Sequence, residues 1–240
     1  DALNGAVTAS ELRGSTVDLD AGTDINASTA VANTGAVTVD ADTGNIDGLL
    51  AQGPDDVSVD AAAGAILNSQ VVSTGTTAAE DINVTAADDV DGVSVVNDGG
   101  IIDVDAGTDG SGSILNTTAT KNGANDDNID FDAADDIINV MLTVRGGGGA
   151  DVTVDATNGD IINASADADD DVAYTALAGN IQGGTVVAVN DVDLDAELDV
   201  IGVTVDAGGD VAVEGTGGRV IDNIVDISVT AGGGADLTAD

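Results

Sequence analysis

Carboxylates are the abundant side chains in this sequence that could do chemistry, and many of them alternate with apolar residues. Three runs show this most clearly. Their acidic members are Asp103 and Asp105, Asp130 and Asp132, and Asp191, Asp193 and Asp195. In a β-strand, alternation places the acids on one face and the apolar residues on the other. Ca²⁺ prefers six to eight oxygen ligands, so these seven residues are the candidate metal ligands.

Other reactive groups are scarce. The chain has no Cys, no His and no Trp, which leaves no thiolate or imidazole for catalysis or for zinc. We identify no catalytic and no cofactor-binding residues, and we expect no required cofactor; Ca²⁺ is the optional one. The paired carboxylates would suit glycoside hydrolysis. A polysaccharide-active enzyme is the weaker alternative, because lyase-type chemistry on acidic sugars needs cationic residues. The cations of this chain, Arg13, Lys121, Arg145 and Arg219, are scattered.

The charge balance limits the partners. Four basic and 45 acidic residues give a net charge of −41. Nucleic acids and anionic membrane surfaces both need a basic patch, so neither is an expected partner. No apolar run approaches the ~20 residues that cross a bilayer, so we expect no transmembrane segment. The chain begins at Asp1 without Met or a signal peptide, which suggests a processed chain or a segment of a longer one.

The alternating pattern belongs to a unit that repeats about every 20 residues. Its first inward residue recurs at Val17, Val37, Val57, Ile82, Ile102, Ile129, Val152, Val172, Val192, Val211 and Leu237. The second inward position, two residues later, includes Phe131 and Tyr174. Both aromatic residues are therefore expected in the core rather than in a sugar-binding site.

Each unit contains two further apolar bursts. The second couples an apolar residue to an amide or acid, as in Ile25-Asn26, Leu115-Asn116 and Ile162-Asn163. The third is short, as in Leu142–Val144. Three β-rich bursts separated by Gly, Asn and Asp predict three strands and three corners per unit. Longer units predict insertions at Ser69–Glu80, Thr117–Asp127, Arg145–Ala150 and Thr230–Ala235.

This pattern predicts an all-β fold: a right-handed parallel β-helix (β-solenoid) of about eleven coils, continuous over 1–240. At ~4.8 Å per coil the rod would be roughly 50 Å long. The leucine scaffold of leucine-rich repeats is missing, and the unequal spacing does not suit left-handed hexapeptide solenoids. Open sheet edges at the ends invite pairing. We therefore expect self-association, end to end or side by side, or continuation by further chain.

In-register stacking would set the outward carboxylates about 5 Å apart. Like charges at that spacing repel by roughly 1 kcal/mol in water and by several-fold more near a protein surface. High salt, bound cations or raised pKa values must offset this repulsion. A solvated, salt-adapted face and specific Ca²⁺ sites are both compatible with the pattern. The densest candidate site is Asp103 and Asp105 over Asp130 and Asp132.

Four glycosylation sequons also allow two readings. They begin at Asn26, Asn83, Asn116 and Asn163. These could carry glycans. Asn26, Asn116 and Asn163 are predicted to share one position in the coil, which favours instead an Asn ladder that joins coils at a corner.

Three segments combine Gly and Asp with alternating apolar residues: Gly149–Ala156 reads Gly-Ala-Asp-Val-Thr-Val-Asp-Ala, 208–213 reads Gly-Gly-Asp-Val-Ala-Val, and 226–233 reads Asp-Ile-Ser-Val-Thr-Ala-Gly-Gly. They resemble the β-helix repeats of filamentous-haemagglutinin-type exoproteins and other giant repetitive surface adhesins, over nearly the whole chain. The secretion domain that begins haemagglutinin-type proteins is not visible. The resemblance implies an extracellular, cell-surface, non-enzymatic and fibrous role, and it transfers no site residues.

The leading functional prediction is therefore a structural or adhesive rod in a surface adhesin, stalk or filament, with an acidic exterior that attracts cations. The alternative from a different class is an extracellular Ca²⁺-binding module.

Overall fold

The chain folds into a parallel β-solenoid of eleven coils, as the repeat predicts. The computed structural model describes residues 4–215 and 224–239, and the account below concerns those residues. They form 33 strands and no helix, so no described helix is long and apolar enough to span a membrane. Every coil contributes one strand to each of three parallel sheets, here named A, B and C.

The five-residue strands form sheet A. They are β3 (Val17–Ala21), β6 (Val37–Ala41), β9 (Val57–Ala61), β12 (Ile82–Ala86), β15 (Ile102–Ala106), β18 (Ile129–Ala133), β21 (Val152–Ala156), β24 (Val172–Ala176), β27 (Val192–Ala196), β30 (Val211–Gly215) and β33 (Ala235–Ala239).

The two-residue strands form sheet B. They are β1 (Val7–Thr8), β4 (Ile25–Asn26), β7 (Ile46–Asp47), β10 (Ile66–Leu67), β13 (Val90–Asp91), β16 (Ile114–Leu115), β19 (Ile137–Ile138), β22 (Ile161–Ile162), β25 (Ile181–Gln182), β28 (Val200–Ile201) and β31 (Ile224–Val225).

The four-residue strands form sheet C. They are β2 (Glu11–Gly14), β5 (Thr29–Ala32), β8 (Leu50–Gly53), β11 (Gln70–Ser73), β14 (Ser94–Asn97), β17 (Thr118–Lys121), β20 (Met141–Val144), β23 (Ser165–Ala168), β26 (Thr185–Ala188), β29 (Thr204–Ala207) and β32 (Ser228–Ala231).

The core is a set of apolar columns, because the register places each inward residue on its counterpart in the next coil. On sheet A, Val104 lies between Val84 and Phe131. Phe131 is 0% exposed and Tyr174 1%, so both are core residues, as predicted. The inward position of sheet B is mainly Ile, which suits a narrow, fully buried strand. Leu12 and Val229, near the two ends, are only partly buried.

Three sequence-based alignments were wrong. Sheet B was misread by one residue in some coils: Ile114 and Ile161 point inward, Leu115 and Ile162 point outward, and the Asn follows the strand. Ile25 points inward and Asn26 outward, as predicted. At the end of the chain, Leu237 pairs with Val213 rather than with Val211, whose partner is Ala235. Thr230–Ala235 is not an insertion, because Gly232–Gly234 aligns residue for residue with Gly208–Asp210.

The residue after each sheet B strand adopts a left-handed backbone conformation, and these residues form a column along the rod. They are Ala9, Ala27, Gly48, Asn68, Gly92, Asn116, Asn139, Asn163, Gly183, Gly202 and Asp226, with φ between 46° and 68°. Gly and Asn tolerate this region best, so the corner between sheets B and C explains why these types recur there.

Part of this column is an Asn ladder. The Nδ2 of Asn163 donates to Oδ1 of Asn139, and the Nδ2 of Asn139 donates to Oδ1 of Asn116, each at 3.2 Å. Asn116 donates in turn to Asp91 at 2.9 Å. The predicted ladder therefore exists. However, Asn26 does not belong to it, because Asn26 is a strand residue paired with Thr8 and Asp47.

Polar residues enter the core at the last inward position of sheet C, and Ser28, Ser69 and Thr117 are also buried at the corner before that sheet. Ser73, Asn97 and Lys121 stack in three successive coils and are all 0% exposed. Asn97 Nδ2 donates to the carbonyls of Glu80 and Ile101, both at 2.9 Å. Lys121 Nζ donates to the carbonyls of Gly123 and Asn125 at 3.3 and 3.0 Å. This buried polar column therefore fastens the loops that follow sheet C to the rod.

Candidate functional site: the acidic face of sheet A

The outer face of sheet A holds most of the predicted metal ligands. Each strand presents its second and fourth residues outward. The acidic ones are Asp18, Asp20, Asp40, Asp60, Asp103, Asp105, Asp130, Asp132, Asp155, Asp193, Asp195, Glu214 and Asp236. Their positions on the sheet follow directly from the alternating sequence.

The acids along the outer face of sheet A are grouped rather than continuous. Strand β12 presents Asn83 and Thr85, and β24 presents Ala173 and Thr175, so two strands carry no charge on this face. They separate an acidic group on β3–β9, one on β15–β21 and one on β27–β33. The neutral strands limit the accumulation of like charge that directly opposed acids cause in a sheet.

The central group is the densest and the most buried. Asp103 pairs with Asp130, and Asp105 pairs with Asp132, as predicted, while Asp155 extends the second column. Burial and then the charges of Asp105 and Asp132 raise the pKa of Asp103 to about 6. Burial, followed by the neighbouring carboxylates, likewise raises the pKa of Asp130 to about 6. Burial also raises the pKa of Asp105 and of Asp132.

Two oxygen atoms in this central group are buried without a hydrogen-bond partner, Oδ1 of Asp130 and Oδ1 of Asp155. A buried carboxylate oxygen without a donor is unfavourable. Among the described residues, the one ion pair joins Arg13 and Glu11, at 2.5 Å between Nε and Oε1. No basic side chain of the described ranges therefore neutralises the central group, and its oxygens suit a hard cation such as Ca²⁺.

The other predicted ligands lie apart from the central group. Asp193 is flanked on the sheet by Ala173 and Ala212, and Asp195 by Thr175 and Glu214. Burial and then Asp195 raise the pKa of Asp193. Asp191 precedes the strand, and its Oδ1 accepts a hydrogen bond from the N–H of Asp210 at 2.7 Å. These three acids therefore do not join the predicted site at Asp103–Asp132.

Asp191 belongs to a structural ladder at the corner before sheet A. The N–H of Asp171 donates to Oδ1 of Asp151 at 3.1 Å, and the N–H of Asp191 donates to Oδ1 of Asp171 at 2.9 Å. Asp210 continues the ladder to Gly234 at 2.6 Å. Some acids in this chain thus serve as acceptors that join one coil to the next, a role that alternation alone does not reveal.

Sequence reasoning missed two acidic clusters. In each, three carboxylate oxygens lie within 4.8 Å of one another: one cluster is Asp18, Asp20 and Asp40, and the other is Asp151, Asp170 and Asp171. The second unites Asp151, directly before β21, with Asp170 and Asp171, directly before β24 in the next coil. Only the pairing of coils brings them together, although the run Asp169-Asp170-Asp171 was visible as a local signal.

The predicted sequon residues occupy three environments. Asn116 and Asn163 are exposed in the Asn ladder, Asn83 is exposed on the outer face of sheet A, and Asn26 is half-buried on β4. Arg219, one of the four cations, lies outside the described residues.

Comparison with protein-family models, with curated proteins and with solved structures found no match for this chain. The fold and the residues themselves therefore carry the functional argument.

Proposed function

We propose that this chain is a stiff structural segment of an extracellular surface adhesin, stalk or filament, and that cations bound along sheet A stabilise it. The observation that carries the proposal is the stacking of unneutralised carboxylates on the outer face of sheet A. The role is mechanical rather than catalytic. Hydrogen bonds between coils run along the axis, and the aliphatic columns make the interior continuous.

The extracellular setting is supported by the demand of the acidic face for cations. Directly opposed carboxylates are unfavourable, and burial, followed by the neighbouring carboxylates, raises the pKa of Asp103 and of Asp130 to about 6, so their ionised forms carry a cost at neutral pH. A medium rich in Na⁺ or Ca²⁺ removes much of it, by screening or by direct ligation. The chain thus suits a salt-rich exterior. Asn83 is an accessible position for a glycan there.

The second candidate, a specific Ca²⁺ site, is favoured by one local observation. Asp103, Asp105, Asp130 and Asp132 stack in register on β15 and β18, and Oδ1 of Asp130 is buried without a partner. A Ca²⁺ ion between the two strands would receive oxygens from both. Such a site is an extension of the rod's function rather than a replacement for it.

Thermal unfolding in Na⁺ and in Ca²⁺ at matched ionic strength tests both proposals. We expect either salt to raise the melting temperature of the dialysed, chelator-treated chain, and Ca²⁺ to raise it more. The Asp103→Asn/Asp130→Asn variant should lose the additional effect of Ca²⁺, because it removes one carboxylate from each strand of the central group.

The matched control is Asp193→Asn/Asp195→Asn, which changes the charge equally at a separate group and should retain the Ca²⁺ effect. If NaCl alone gives the whole stabilisation, the specific site is wrong and the salt-adapted rod stands. If neither salt changes the melting temperature, cations do not stabilise the rod. Electron microscopy of the native assembly tests the mechanical role, and compact isolated particles would contradict it.

A further inference from the structure

The outer face of sheet C differs from the rest of this acidic chain because six successive strands, the second to the seventh of the eleven, carry no charge there. From β5 to β20 the twelve outward residues are neutral. They are Thr29, Val31, Leu50, Gln52, Gln70, Val72, Ser94, Val96, Thr118, Thr120, Met141 and Thr143. We call this surface the neutral face. Charged residues make up 20% of the chain, so two or three among twelve positions would be ordinary.

The neutral face is also regular. Each strand from β5 to β20 pairs with the next without a bulge, so the outward residues form two straight columns. Val72 and Val96 are adjacent in one column, and Gln70 and Ser94 in the other. A surface that repeats every ~4.8 Å fits best against another surface with the same repeat. A second copy of this rod has that repeat by construction.

Charge decides which faces of two copies can approach each other. Two sheet A faces would oppose stacked carboxylates, whereas two neutral faces would not. Stacked sheets lie about 10 Å apart, so the sheet A faces of two rods packed through sheet C would be roughly 30 Å apart. That is several times the ~8 Å Debye length at physiological ionic strength. The acids at the rim, such as Asp55 and Asp98, remain as the nearby repulsive groups.

We propose that the neutral face is the surface through which two copies of this rod pack side by side, antiparallel about a two-fold axis between β11 and β14. This arrangement is isologous, because the same surface serves both copies. It leaves both acidic faces exposed to cations. The inference rests on the proposed structural role, because it assigns the lateral contact of that rod, but it does not depend on Ca²⁺ binding.

The area predicts a weak contact. Six strands at ~4.8 Å and four residues at ~3.3 Å give about 380 Å² per copy, or about 750 Å² in total. This is below the ~1,200 Å² of the smallest standard interfaces. We therefore expect a dissociation constant on the order of 0.1–1 mM for this segment, with NaCl strengthening the contact as it screens the rim acids.

Cross-linking is the test for such a weak contact, and the absence of Cys allows single-Cys variants without background. Gln70→Cys and Ser94→Cys place a thiol beside the proposed axis. Ser58→Cys and Asn83→Cys are the matched controls, because they lie on sheet A in the same two coils. With a bismaleimide spacer of about 10 Å, chosen for the usual separation of stacked sheets, we expect at least ~10-fold more dimer from the sheet C variants in 1 M NaCl.

Sedimentation of charge variants gives an independent readout. Val72→Asp/Val96→Asp adds two negative charges to the neutral face, and Ser58→Asp/Asn83→Asp adds two to sheet A. We expect the first pair to raise the dissociation constant at least ~10-fold and the second to change it less than ~3-fold, with circular dichroism confirming that both variants fold.

Equal cross-linking from both sheets, or none above the sheet A controls at 1 mM chain, would overturn the proposal. In that case a rod that still melts higher in Ca²⁺ would leave the proposed function intact. Conversely, cross-linking through sheet C without any cation effect would retain the lateral contact and reject the cation-stabilised face.

Discussion

Sheets A and C of the same rod distribute polarity in opposite ways. Sheet A is acidic outside, and inside it is apolar except for the hydroxyl of Tyr174, with Val104 stacked on Phe131. Strands β5 to β20 of sheet C are neutral outside, and inside they hold the column of Ser73, Asn97 and Lys121. The same eleven coils supply the strands of both sheets, and in both sheets each strand pairs in parallel with its counterpart in the next coil. The difference therefore comes from side-chain choice, column by column, and not from the backbone.

The comparison shows that the column is the unit of chemistry in this fold. Each position stacks on itself, so one acidic residue per coil becomes a charged column, and one neutral residue per coil becomes an uncharged surface. A neutral residue in such a column has a local effect: β12 and β24 carry neutral outward residues, and each interrupts the acidic columns of sheet A. Polarity can thus be varied along the rod without altering its architecture.

The largest expected effect comes from reversing the polarity of a sheet A column. Val59→Asp places a carboxylate in the core, where Val59 is 0% exposed, and should lower the free energy of unfolding by about 3 kcal/mol or more. Ser58→Asp adds the same charge one residue away on the outer face, between the neutral Thr38 and Asn83, and should cost less than about 1 kcal/mol. Urea unfolding of both variants measures the difference. Similar losses would mean that the faces of β9 are not distinguished as described.

The buried polar column of sheet C should give an intermediate effect. Lys121→Met keeps most of the side-chain volume but removes the donor to the carbonyls of Gly123 and Asn125. The expected loss is about 2 kcal/mol, because hydrogen bonds to a charged group are lost and two carbonyls remain unpaired.

Arg145→Met is the control for Lys121→Met, because it removes the same charge from an exposed neighbour at the end of β20. Burial lowers the pKa of Lys121, whereas the charges of Asp127, Asp169 and Asp126 raise it. Equal stability of the two variants in urea would show that Lys121 does not fasten the loop at residues 122–128.

The smallest effect is the pH dependence of sheet A. Asp103 and Asp130 have pKa values of about 6 in the rod, above the ordinary 3.8. As pH falls, these two carboxyls bind protons in the folded state before they do so in the unfolded state. The free energy of unfolding should therefore be higher at pH 4.5 than at pH 7, and this gain should be lost as pH rises through 6. After allowance for partial solvent exposure, we expect about 1 kcal/mol, or roughly 2–4 °C in melting temperature.

The pH test needs low salt, because screening weakens the interactions with Asp105, Asp132 and Asp155, which face the two groups. Asp103→Asn/Asp130→Asn should flatten the profile between pH 4.5 and 7. A profile that is unchanged in this variant would assign the pH dependence to other carboxylates. Matched melting curves at each pH, with the reversibility of unfolding checked, provide the measurement.

The fold could be predicted because sheet A alternates over five residues, which fixes both its face and its register. The same reasoning failed at sheet B, where a two-residue strand has no alternation to distinguish Ile114 from Leu115. It failed again at Leu237, because the last coil offers Ala235 instead of a large residue at the first inward position. Pairing between coils resolves both cases. Asn116 occupies the left-handed corner that Gly occupies in other coils, and Leu237 pairs with Val213.

The candidate site, too, could be predicted from the sequence only in part. The alternation of Asp103 to Asp105 and of Asp130 to Asp132 was enough to place four carboxylates outward, and the spacing of the repeats paired them correctly. It could not show that Asp191 accepts a hydrogen bond from the next coil, because Asp191 and Asp193 look equivalent in a local pattern. Nor could it reveal that Lys121 is buried, since its acceptors lie in a loop of irregular sequence.

By itself, the sequence determined the parallel solenoid, the acidic outer side of sheet A and the aromatic members of the core, because period-two alternation and a recurring unit are local properties of the chain. The tertiary structure decided the rest: which acids stack and which are separated by neutral strands, which Asn residues form the ladder, and that sheet C presents an uncharged surface. These depend on which residues meet across coils, and loops of unequal length between strands conceal that alignment until the chain is wound.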